Sequence, residues 1–69
     1  MSTTLELART HLESLREERA AAVLAGLADH PAYQADLEQE MANAHAAYVA
    51  AAVSEIASFR AQLSGPQVG

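Results

Sequence analysis

The chain has 69 residues, 51% of them hydrophobic, 19% charged and 4% aromatic, with nine acids set against four arginines, no lysine and no cysteine. Without cysteine there is no disulfide framework, no thiolate zinc site and no thiol nucleophile. A net charge of −5 opposes a phosphate backbone as the main partner. The length allows one domain with one small core.

That core is smaller than the hydrophobic total suggests. Alanine accounts for 17 of the 35 apolar residues, and Met1 and Val68 sit at the ends, which leaves 16 larger side chains. Burying each contributes roughly 1.5–3 kcal/mol, while ordering each residue costs about 1.5 kcal/mol. For a lone chain of this size the balance comes out near zero, and partner chains are the usual remedy. An oligomer is therefore expected.

The first segment opens with Thr3-Thr4-Leu5-Glu6, a capping box of threonine followed three places later by glutamate. Leu5, Ala8, Leu12, Leu15, Ala22 and Val23 then recur at helical steps, with Leu7 pointing away from the stripe. Glu6, Arg9, Glu13, Arg16 and Glu17 interleave charges on the opposite side. Gly26 weakens the last turns by roughly 1 kcal/mol relative to alanine, and the spacing predicts a helix over residues 3–28. Pro31 disfavours helical angles at His30, so the turn is expected at residues 29–30.

Pro31 suits the first position of a second helix, predicted over residues 31–64. Ser64-Gly65-Pro66 is a stop signal, with Gly65 suited to a left-handed cap and residues 65–69 forming a tail. One stripe reads Tyr33, Leu37, Met41, Ala44, Tyr48, Ala52, Phe59 and Leu63. A second reads His45, Val49, Val53, Ile56 and Leu63. Together they exceed the arc of about 100° that an ordinary surface helix buries. Such a helix needs two neighbours, one from its own chain and one from another.

A short connection makes the helices antiparallel. The expected class is thus all-α: an antiparallel two-helix hairpin, dimerising into a four-helix bundle. A turn at residues 29–30 pairs Leu27 with Tyr33, Val23 with Leu37, Leu15 with Ala44, Leu12 with Tyr48 and Leu5 with Ile56. At about 1.5 Å per residue the helices measure roughly 39 and 50 Å, so Phe59 and Leu63 overhang helix 1. The alanines between Ala44 and Ala52 fit two readings, close approach of helices or cheap helix formation. The candidate dimer interface is His45, Val49, Val53, Ile56, Phe59 and Leu63.

Arg19 falls inside the apolar stripe of helix 1, where it must find a partner or extend its stem to water. The expected register puts Glu40 opposite, making Arg19 and Glu40 a candidate interior ion pair. The other reading is an arginine held ready for a carboxylate of another protein. Glu55 raises the same question between Tyr48 and Phe59, with Arg9 or Arg60 of another chain as possible answers. His11, His30 and His45 form neither a Glu-x-x-His nor a His-x-x-x-His spacing, so no metal and no cofactor are expected. Asp36, Glu38 and Glu40 read as a solvated face near a helix start. With no glycine-rich phosphate loop and no base-and-oxyanion arrangement, enzymatic activity is not expected.

The layout resembles the Rop-type plasmid regulators, short two-helix hairpins that dimerise into four-helix bundles and bind paired RNA loops. It also resembles small phage-encoded hairpins that block host proteins. Here a dimer would double the charge to −10 and the four arginines to eight, with Arg9 and Arg16 interleaved among acids, which disfavours nucleic acid. The favoured function is a non-catalytic protein–protein interaction module. The alternatives are a structural subunit of a larger assembly such as a phage particle, and a Rop-like regulator. The candidate patch for a second protein is Leu24, Leu27 and Tyr33, rimmed by Arg16, Asp29 and Glu38. No basic start or apolar run follows Met1, and the longest uncharged stretch, residues 41–54, is too short for a bilayer. A cytoplasmic location, with no membrane partner, is the default expectation.

Overall fold

A computed structural model describes residues 3–65 as a helical hairpin: α1 (Thr4–Leu24), a single 3-10 turn at Leu27–Asp29, and α2 (Pro31–Leu63). There is no strand among the described residues. Met1, Ser2 and most of the expected tail, residues 66–69 with the Pro66 stop signal, lie outside the described residues.

Thr3 sets the start of α1 as its N-cap, one half of the expected capping box. The Glu6 N–H donates to the Thr3 hydroxyl oxygen at 3.0 Å, satisfying one of the first-turn donors that have no partner within the helix. The other end differs from expectation. The helix stops at Leu24 rather than Ala28, because Gly26 adopts φ 81°. That left-handed conformation costs an L-residue about 1–2 kcal/mol but is freely available to glycine. The Gly26 N–H donates to the Val23 carbonyl at 3.1 Å and the Ala25 N–H to Ala21 at 2.9 Å, closing the last turn. Gly26 thus terminates the helix that its propensity was expected only to weaken.

The connection is consequently longer than two residues. It runs from Ala25 to His30, and the Leu27 carbonyl holds it by accepting from the His30 N–H at 3.0 Å and the Gln34 side-chain amide at 3.3 Å. His30 is extended at φ −100° and ψ 95°, as a residue before proline prefers, and Pro31 begins α2. At the far end the Ser64 N–H donates to the Arg60 carbonyl at 2.8 Å. Gly65 is not left-handed, contrary to expectation; Gly26 is the one glycine with positive φ among the described residues.

The core is a single line of side chains. Leu12, Leu15, Leu37 and Ala44 are buried, with Tyr33, Met41 and Tyr48 packed half-buried against them. Ala22 is also buried, whereas Val23, expected to face Leu37, is exposed. Ala22 lies two turns beyond Leu15 and continues its line, while Val23 is rotated off it. Thr4 and Leu5 lie beside Ala51, Ser54 and Glu55. Phe59 and Leu63 therefore run past the start of α1, uncovered as the sequence indicated. The molecule measures 65 × 21 × 13 Å, a rod two helices wide and one thick.

Gly26 and Gly65 give a direct test of the turn. A Cβ at Gly26 would meet nothing within 4 Å, so its substitution tests backbone conformation alone. Gly26→Ala should destabilise the hairpin by about 1–2 kcal/mol, read as a lower thermal midpoint in circular dichroism. Gly65→Ala, whose Cβ would sit 3.5 Å from the Ala61 and Gln62 carbonyl oxygens, should leave the midpoint nearly unchanged.

Candidate functional site

Each helix carries one apolar line into the hairpin, and α2 carries a second that finds no cover. Val49, Val53, Ile56, Phe59 and Leu63 remain 44–65% exposed, and His45 is exposed in line with them. All six residues of the sequence-derived self-contact thus share an open face of α2. Leu5 closes one side of a shallow groove with Ala52, Glu55, Ile56 and Phe59, so the end of α1 borders this face.

The turn end offers a second surface of altered make-up. Leu24 is 90% exposed, the most open large apolar side chain among the described residues, and Val23 and Leu27 near it in the chain are exposed too. Arg16 and Glu38 are exposed, but Arg16 lies in a groove with His45 and Tyr48, away from the turn. Tyr33 does not join this patch as a free anchor. Its ring packs against the hairpin core, and its hydroxyl donates to the Glu18 carboxylate at 2.8 Å. Val23 takes its place, missed because its spacing also fitted the inner stripe. Ala22, which continues the line of Leu15, takes the inner position and leaves Val23 rotated outward.

Arg19 and Glu40 do not make an interior ion pair. Both are exposed, and no polar or charged side chain is buried among the described residues. Glu40 instead approaches His11, with 4.0 Å between Glu40 Oε1 and His11 Nε2 and both side chains more than half exposed. The expected register is kept elsewhere, with Leu12 beside Tyr48 and Leu5 beside Ile56. An exposed pair at that distance adds little to stability. His45, besides facing outward, lines a polar groove with Arg9, Glu13, Arg16, Leu12 and Tyr48, so α1 contributes both charge signs beside the uncovered stripe. Among the described residues no three His, Asp or Glu side chains are grouped to hold a metal ion. No described helix is long and apolar enough to cross a membrane.

Comparison with protein-family models, with curated proteins and with solved structures yields no match.

The Tyr33–Glu18 bond has a pH signature. Donation to Glu18, partial burial and the carboxylate's charge all favour the neutral phenol, raising its pKa above the ordinary 10.0. A group whose folded pKa is raised adds stability that is complete below the unfolded value and lost as pH climbs through the folded one. Wild type should therefore melt above Tyr33→Phe at neutral pH, and the difference should shrink as pH rises past 10.0 in paired thermal melts.

Proposed function

We propose that this chain is a non-catalytic protein–protein interaction module, an adaptor, inhibitor or assembly factor, that acts as a homodimer. The observation that carries the reading is the imbalance between covered and uncovered apolar residues. Three leucines are buried, while nine large apolar side chains remain exposed among the described residues. Single exposed leucines are ordinary, but apolar residues gathered on one face mark association surfaces. The gathering here occurs twice: along the C-terminal half of α2, and around Leu24 at the turn.

The two surfaces suit different tasks. The α2 stripe is long, regular and continuous with the hairpin's own core, which fits self-association. The turn end presents Leu24, Leu27 and Val23 open to solvent, which fits an anchor for a second protein. The acidic surface, at −5 per chain, favours a partner with a basic patch. Apolar residues near both ends also favour a second reading, a subunit of a larger assembly whose chains contact one another through both surfaces.

Light scattering over a concentration series separates these readings. A species that stops near twice 7.3 kDa supports the dimeric module. Mass that keeps growing supports the assembly subunit, and a persistent monomer removes the homodimer. Leu24→Ser should keep the dimer mass and abolish capture of whatever protein wild type retains. Capture unaffected by Leu24→Ser would remove the turn end as the site.

A further inference from the structure

The uncovered residues of α2 follow a stricter rule than amphipathicity. His45, Val49, Ala52, Ile56, Phe59 and Leu63 recur at alternating steps of four and three, the a/d pattern of a coiled coil. The residues that face α1, Leu37, Met41, Ala44, Tyr48 and Ala51, follow the same alternation offset by one position. Helix α2 thus carries two seams side by side, and α1 fills only one. Ala52, where the stripes meet, is half-buried, while the large members of the outer seam are 44–65% exposed.

We infer that residues 45–63 of α2 form the seam of a parallel two-stranded coiled coil with a second copy of this chain, Glu55 pairing with Arg60 of the partner subunit. The inference rests on the homodimer reading above and specifies its geometry.

Three features select a parallel copy. In a parallel pair each g position faces the e position five residues further along the other strand. With Ile56 at an a position, Glu55 is g and Arg60 is e, so opposite charges meet twice across the two-fold axis. Neither residue has an ion-pair partner within the chain among the described residues. The preceding g–e relation sets half-buried Tyr48 against the partner's Val53, which accounts for an exposed valine lying off the a/d line.

Side-chain size along the seam agrees. Upstream of His45 the same positions hold Ala42 and Glu38, so the large residues are confined to the C-terminal half. A parallel pair matches Ile56, Phe59 and Leu63 each with its own copy. An antiparallel pair laid along the whole of α2 would set Ile56 against Glu38 and Phe59 against Ala35. An antiparallel pair centred on Ile56 would bring the two Glu55 side chains together, a like-charge contact.

The absence of native cysteine makes cross-linking the test. Ala52→Cys and Leu63→Cys, made separately, should each give a disulfide-linked dimer under mild oxidation at concentrations where light scattering shows dimer. A parallel seam sets both positions against their own copies, within disulfide reach. No antiparallel register can place both positions on its two-fold axis. Arg60→Glu should weaken the dimer about threefold, and adding Glu55→Gln should remove most of that penalty. Circular dichroism checks that each variant keeps its helix content. A dimer in which only one cysteine variant cross-links, or neither, overturns the parallel seam and leaves the homodimer intact. A monomer by light scattering overturns both.

Discussion

Two helices can touch along only one line, and the side chains that flank this line keep one side open to solvent. This geometric limit governs the molecule. At 13 Å in its thinnest dimension the hairpin has room for only one line of buried side chains. Leu12, Leu15, Leu37 and Ala44 form the whole buried cluster, closed by side chains that are themselves half open. Burial on this scale offsets chain entropy only in part, so the remaining apolar residues have an energetic reason to find cover outside the chain.

The same limit explains the polar chemistry. Buried charges need partners and a low-dielectric surround, and a two-helix layer supplies no such surround. Arg19 lies near the inner stripe yet reaches water, and the polar contacts that cross the hairpin, Tyr33 to Glu18 and His11 to Glu40, are made at its edges. The phenol shows how the flank is used: its ring seals the end of the core while its hydroxyl meets a carboxylate at the rim.

Much of this was legible in the residues. The Thr3–Glu6 cap, the position of Pro31, the antiparallel pairing and the uncovered C-terminal half of α2 all follow from spacing and local stereochemistry, and the structure has each of them. The turn was less legible, because a glycine near a helix end has two readings, a weak helical residue or a left-handed terminator. Gly26 is the terminator, which shortens α1 by four residues and lengthens the connection to six. Tyr33 shows a second source of ambiguity. Its position on the wheel fitted the core stripe and its neighbourhood fitted a surface patch, and only the reach of its hydroxyl to Glu18 decides between them.

The alanines of α2 have a consequence beyond close packing. Ala46, Ala47, Ala50, Ala57 and Ala61 are exposed, so packing does not hold them in the helix. Their intrinsic preference does, since alanine gives up no side-chain freedom on entering a helix. The uncovered face of α2 is therefore carried on a segment whose own composition favours the helix. In the proposed dimer this preference would lower the backbone ordering that association has to bring about. Alanine in α2 is a source of preorganisation.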